Sequence, residues 1–284
     1  MKRFTTSVLV TAFIGMMPAP VFSAAWIQPE GQLQTSLALT SAQISGFYVE
    51  RPRVALADLP GFTGAPISIW GLRYEGAFGS GPQEEVSWTT RLGSRSEFMY
   101  GGITRPSQTY LGDTRISRKH QFFQGQAVGA TEFGIGIPGS YLRNSFSFEG
   151  MRDFEVFANI LVAHQGKDGF STSLDFGHYW RLGLAPNAFH LKYYAGQIVA
   201  ETWRVYGMFD YWLDLEGDSV TPTTIFRDKN DYFSTRQIQD RLVFGVSQTQ
   251  GDWQWGLQYS SVFSGENVPI QTAISLYTST ATFL

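Results

Sequence analysis

From Trp253 to Ser260 the chain reads Trp253, Gln254, Trp255, Gly256, Leu257, Gln258, Tyr259, Ser260: large apolar side chains at odd positions, polar residues or glycine at even ones. Successive side chains of an extended strand point to opposite faces, so this pattern gives a ribbon with one greasy and one wet side; on a helix the two kinds would smear around the axis. The pattern recurs. Leu174, Phe176 and Trp180 alternate with Ser173, Asp175, Gly177 and Arg181; Trp203, Val205, Phe209, Tyr211, Leu213 and Leu215 alternate with Arg204, Tyr206, Asp210 and Asp214. Trp70, Leu72, Tyr74 and Phe78 alternate with Arg73 and Glu75. Weaker alternation covers 31–39, 86–93, 130–137, 142–149, 154–163, 190–198, 237–247 and 272–284, while 94–126 yields no clean reading.

The clearer runs are about 9–12 residues, the length that crosses a bilayer at a tilt and about twice the strand of a soluble domain. Their greasy face is aromatic where a soluble sandwich would use Val, Ile and Leu. Trp70, Trp88, Trp180, Trp203, Trp253 and Tyr259 suit interfacial girdles, whereas Trp212 falls on the wet face and would fill the interior. The expected fold class is therefore all-β: a transmembrane, antiparallel, up-and-down β-barrel. Its strand number is even, about 12 within a range of 10–14, from roughly 20–22 residues per strand and connection.

The N-terminus agrees with that destination. Met1-Lys2-Arg3 is basic, Val8–Met17 is mostly apolar, Pro18 and Pro20 break it, and small residues follow at Ser23-Ala24-Ala25. This is the anatomy of a secretory signal peptide over 1–24, cut between Ser23 and Ala25, with a barrel over 25–284. The apolar run is too short for a spanning helix, and no later segment is apolar enough to be one. Charged residues are 16%, aromatics 15%, cysteine 0 and net charge -3. A secreted chain without cysteine draws no stability from disulfides, and a near-neutral one offers nothing for nucleic acid.

Turn chemistry separates the runs at 79–82, 165–169, 184–187 and 250–252, and longer breaks fall at 41–65 and 217–236. With both termini in the periplasm, counting back from the C-terminus puts 217–236 and 264–270 outside and 248–252 inside, as expected of barrels with short periplasmic turns. Outer-membrane lipids, lipopolysaccharide and the barrel-insertion machinery are then the expected partners. That machinery reads a terminal aromatic strand, and here Phe283 is penultimate.

The wet faces carry Glu75, Glu132, Glu149, Glu155, Asp175, Asp210 and Asp214 against Arg73, Arg91, Arg143, Arg181, Lys192, Arg204 and Arg241, with Gln254 and Gln258 beside them. A selective pore would show a ring of one sign; a balanced set is expected to pair across neighbouring strands and to leave a narrow or occluded lumen. Asp240 and His178 fall on the greasy face and belong near an interface.

No catalytic or cofactor motif emerges. The four histidines, His120, His164, His178 and His190, make no HExxH or other metal spacing, and there is no GxSxG and no phosphate loop ending in Lys. Gly134-Ile135-Gly136-Ile137-Pro138-Gly139 reads as small residues facing a crowded interior, since no helix follows it. No enzyme, cofactor or metal is expected.

The segment Ala25-Trp26-Ile27-Gln28-Pro29-Glu30-Gly31-Gln32 resembles the Ala-Trp-x-x-Pro-x-Gly opening of the XagA-like outer-membrane proteins. That resemblance, confined to Ala25–Gln32, implies a surface or export role with saccharide or exopolysaccharide export partners, and no catalytic residues to carry over. The segment itself reads equally as a plug or a periplasmic latch. Three functions follow in order: a channel or transporter for small solutes or saccharides, a plugged structural barrel supporting export or adhesion, and a lipid-modifying barrel enzyme.

Overall fold

A computed structural model of the chain describes residues 25–48, 53–55, 58, 62–63, 66–100, 103–139, 153–183, 186–215, 237–266 and 268–284. Twelve strands form the wall: β1 Gln32–Tyr48, β2 Ile67–Gly81, β3 Glu84–Arg95, β4 Thr114–Phe123, β5 Ala127–Ile137, β6 Glu155–Gln165, β7 Phe170–Arg181, β8 Ala188–Ala200, β9 Trp203–Asp214, β10 Ile238–Gln250, β11 Trp253–Glu266 and β12 Val268–Phe283. Each pairs antiparallel with the next in sequence. The sheet closes on itself where β12 meets β1, from Gln32↔Phe283 to Tyr48↔Val268, so no edge strand is left unpaired in this wall.

One end of the barrel carries only tight turns, at 82–83, 124–126, 166–169, 201–202 and 251–252. Gly251 adopts a φ of 60°, the left-handed conformation that a two-residue hairpin demands and a side chain resists. The other end carries the connections 49–66, 96–113, 138–154 and 215–237, and both ends of the wall, Gln32 and Phe283, lie at the turn end. A small three-stranded sheet of Phe62–Thr63, Phe98–Tyr100 and Ile103–Arg105 belongs to two of those connections.

Alternation sorts the side chains as a lipid-embedded barrel requires. Leu276 on β12 and Ile160 on β6 face outward and are 59% and 56% exposed, while Ser275, the neighbour of Leu276, faces inward and is 4% exposed. Aromatic residues ring the outer face at the turn end (Trp203, Trp253, Phe170, Phe122) and at the loop end (Trp70, Trp180, Phe154).

Two breaks read from the sequence are corrected, and the stretch without a reading is resolved. The stretch 94–126 contains a wall strand, β4, whose outer face is Ile116, Arg118, His120 and Phe122. The two polar members break the greasy pattern, and they are held by Glu84 on β3, at 2.8 Å from Arg118 and 2.9 Å from His120. The break at 41–65 begins later, because β1 runs to Tyr48, and the break at 264–270 shrinks to residue 267. In both places polar outward residues such as Ser41, Gln43 and Ser264 imitate a loop while the backbone stays paired. The run 142–149, read as a strand, lies outside the described residues; β5 and β6 on either side of it pair directly with each other.

Candidate functional site in the barrel lumen

The interior charges are arranged by register. Glu85 sits opposite Lys119 (2.9 Å), Asp175 opposite Lys192 (3.3 Å) and Asp210 opposite Arg241, each pair on adjacent strands. Facing residues on one side of a sheet are the closest cross-strand neighbours, so opposite charges there pair without reorganising the wall. Two further pairs reach across an intervening strand that offers no side chain in the way. Arg115 bonds Glu155 at 2.6 Å over Gly136, and Arg181 bonds Asp214 at 3.0 Å past Ala188. His190 Nε2 lies 2.6 Å from Asp210 Oδ1, and Arg73 Nε lies 3.1 Å from Glu75 on its own strand. Glu132 accepts hydrogen bonds from Ser117 Oγ (2.6 Å) and Asn159 Nδ2 (2.7 Å).

Glycines make room for the large inward residues. Tyr206 lies across Gly245, Tyr277 across Gly256 and Phe157 across Gly134, each glycine being the register partner on the next strand. A Cβ on any of the three would collide with the ring it faces. The rings therefore lie along the wall, and Tyr194, Tyr206, Tyr277 and Ala38 form one buried cluster spanning β8 to β1. Tyr206 Oη reaches Tyr277 Oη at 3.3 Å and Gln258 at 3.4 Å.

The chain before β1 enters the barrel. Glu30 bridges Gly79, where a Cβ would strike the Pro29 carbonyl, and residues 25–29 continue inside the turn end. Ala25 is fully buried among Val128, Ala130, Leu161 and Ala163, with Trp26 packed against the group. Gln28 N donates to Glu85 Oε2 (2.8 Å), its side-chain amide donates to Gln34 (2.7 Å), and Lys119 Nζ lies 3.5 Å from the Trp26 carbonyl. Gln121 donates to the Ala25 carbonyl at 3.2 Å. The segment that the sequence leaves as plug or latch is thus an internal plug. It fills the lumen beside β2–β6, and the tyrosine cluster fills it beside β8–β1.

Beyond these two obstructions lies a cavity of about 350 Å³, floored by Trp26 and Gln28 and walled by β1–β10. Of the residues expected inside, Arg73, Glu75, Arg91, Asp175, Lys192, Asp210 and Arg241 line it, as does Glu132. Glu155 and the Arg181–Asp214 pair face inward behind it, and Arg204, Gln254 and Gln258 face inward on the tyrosine side. Arg143 and Glu149 lie outside the described residues. Trp212 lines the cavity within an aromatic group of β6–β9, 4.8 Å from Tyr179 and 5.2 Å from His190, with Phe157 stacked on Tyr179 at 5.2 Å. Asp240 and His178 are on the outer face, Asp240 three residues into β10 at its loop end and His178 between Trp180 and Phe189.

Sequence reasoning missed Glu85, Arg115 and Lys119. Arg115, Ser117, Lys119 and Gln121 do alternate, but against an outer face that is itself half polar. Glu85 needed only one more step outward from the 86–93 run. Among the described residues no three His, Asp or Glu side chains gather as a metal site.

No protein-family model matches the sequence, and no curated protein matches it. Solved structures do match in fold. The COG4313 outer membrane channel from Pseudomonas putida F1 superposes with a TM-score of 0.69 at 11% identity, over 94% of this chain and 100% of that one. The KdgM porin in complex with disordered oligogalacturonate and the NanC porin each give a TM-score of 0.50, at 10% and 7% identity, over 86% of this chain and 98% of theirs. The chain is a closed, antiparallel twelve-stranded β-barrel with the fold of outer-membrane channels and porins.

Proposed function

We propose that this protein is an outer-membrane channel for small polar solutes, obstructed at its periplasmic end by its own residues 25–30. The observation that carries the reading is the form of the interior. A polar cavity sits inside a closed barrel, and much of what obstructs it is a short segment held by a few hydrogen bonds and one small apolar cluster rather than by the wall itself. Such a segment can withdraw at the loss of one bridge, Glu30 to Gly79, while every strand-to-strand pairing of the wall stays intact. The likeness to the COG4313 channel along its whole length supports the same reading. The signal peptide over 1–24 would deliver the chain to the periplasm, leaving Ala25 at or next to the mature N-terminus. No catalytic role is proposed, since the inner carboxylates are engaged in ion pairs and hydrogen bonds.

The test is single-channel conductance of the refolded barrel in a planar bilayer, with and without residues 25–30, and with and without added oligosaccharide. The expected result is a small or intermittent current from the longer chain and a steady, larger one from the shortened chain. The filled turn end also favours a second reading, a scaffold barrel in a polysaccharide-export or adhesion assembly, which the XagA-like opening supports. Silence from both folded forms would sink the channel and favour the scaffold.

A further inference from the structure

Two neighbouring rows of the inner wall, both lining the cavity, are laid out by register across β7–β10. In one row Asp175 faces Lys192, Lys192 faces Asp210 and Asp210 faces Arg241, so the sign of charge alternates from strand to strand. In the next row towards the loop end, Gly177 faces His190, His190 faces Trp212 and Trp212 faces Gln239. Compensation extends around the whole cavity. Five of the six cations that line it are paired, with Glu75, Glu85, Glu155, Asp175 and Asp210, and the sixth, Arg91, is engaged as well. A lining so compensated favours neither sign of charge, and an ion brought to it gives up hydration that no opposing field repays.

The paired groups still hold hydrogen-bonding capacity. A carboxylate offers about four acceptor sites and a guanidinium about five donors, more than one ion pair consumes. Gln239, half-buried beside them, adds an amide donor and acceptor. A hydroxyl donates and accepts at once, so a polyol can bond to neighbours of opposite sign along the row. Trp212 supplies apolar surface next to that row. Its Nε1–H donates to Asp214 at 3.0 Å, and Arg181, which does not line the cavity, lies 5.0 Å from its ring centre. The indole is thus held from behind, and the accessible part of this half-buried side chain is turned to the cavity. The electron-rich face of such a ring takes the weakly positive C–H groups of a sugar ring, as it takes the edge of another aromatic.

We infer that the β7–β10 wall of the cavity is a binding site for a neutral sugar, a monosaccharide or disaccharide in its pyranose form. The sugar ring lies on Trp212, and its hydroxyls bond Gln239, Asp210 and Arg241. A volume near 350 Å³ is at the small end of ligand pockets, which suits such a solute and excludes a long polysaccharide at rest. An acidic or amino sugar fits the same space but finds its charge repelled by one neighbour in the row as much as it is attracted by the next. The inference deepens the channel reading and rests on it in requiring that solute reach the cavity.

The test is a saturation-transfer NMR titration of the full-length mature barrel, in a detergent without a sugar headgroup. The probes are glucose, galactose and maltose, with glucuronate, glucosamine and the open-chain sorbitol for comparison. At least one neutral pyranose is expected to bind roughly tenfold more tightly than each of the three comparison solutes, the worth of one favourable contact. Trp212→Leu should weaken it roughly tenfold and Gln239→Leu roughly fivefold, while Tyr259→Leu on the outer face should leave it unchanged. Heat-modifiability confirms folding, and Gln239→Leu carries the test if Trp212→Leu does not fold. Binding of none of the three neutral sugars, equal binding of glucuronate, glucosamine or sorbitol, or unchanged affinity in the folded variants overturns the inference. Sugar binding by a barrel that passes no current would remove the channel reading and leave the site standing; current without sugar binding would do the reverse.

Discussion

Glu85 is the residue on which the plug hangs. One carboxylate oxygen accepts the Gln28 backbone N–H at 2.8 Å, and the other accepts from Lys119 at 2.9 Å, whose ammonium in turn lies 3.5 Å from the Trp26 carbonyl. Both side chains are nearly buried, at 3% and 7% exposure, so water screens neither contact. Glu85→Gln keeps the shape and an acceptor oxygen but removes the charge. A hydrogen bond to a charged group is worth about 1.5–3 kcal/mol and a neutral one about 1, so the substitution loosens the plug by roughly 1–1.5 kcal/mol. At about 1.4 kcal/mol per tenfold, the ratio of withdrawn to seated plug rises about tenfold. The assay is open probability in single-channel records, against wild type and the chain lacking 25–30. Glu85→Gln strands Lys119, although Glu132 remains its register partner on β5. The double variant Glu85→Gln/Lys119→Met removes that complication and should open at least as often. An unchanged open probability in both variants, when the deletion itself raises conductance, would refute the anchoring role.

Three further outcomes follow from the packing. Gly256→Val should destabilise the barrel by about 1–3 kcal/mol through overpacking against Tyr277, and Tyr277→Ala should relieve it in the double variant; urea unfolding in detergent measures both. Asp214→Ala leaves the wholly buried Arg181 without its carboxylate and should cost about 3–5 kcal/mol in the same assay, whereas Arg73→Gln, whose pair with Glu75 is partly exposed, should change stability by less than about 1 kcal/mol. Leu276→Arg, on the outer face in register with Leu39 and Leu257, should cost about 2–4 kcal/mol in lipid, and a cost near zero would put that position outside the apolar band.

Period-two alternation is a local property, so the sequence alone determined what depends on one strand at a time. The greasy and wet faces of the 70–78, 170–181, 203–215 and 253–260 runs are the outer and inner faces of β2, β7, β9 and β11. The charges those runs place on the wet face, from Arg73 to Asp214, all point inward. Where one face lost its uniformity the local signal failed: Arg118 and His120 hid β4, and Ser41 and Gln43 cut β1 short. Closure and partnership needed the tertiary structure, because register relates residues far apart in the chain. That Glu85 meets Lys119, that Arg115 reaches Glu155 over Gly136, and that Arg73 faces Arg91 are decided by how strands slide against one another, and no spacing within a strand encodes it. The plug is the clearest case. Ala25 to Glu30 carries no periodicity; the apolar niche of Val128, Ala130, Leu161 and Ala163, assembled from β5 and β6 about a hundred residues away or more, and the bonds from Glu85, Lys119 and Gln121 together hold it in the lumen.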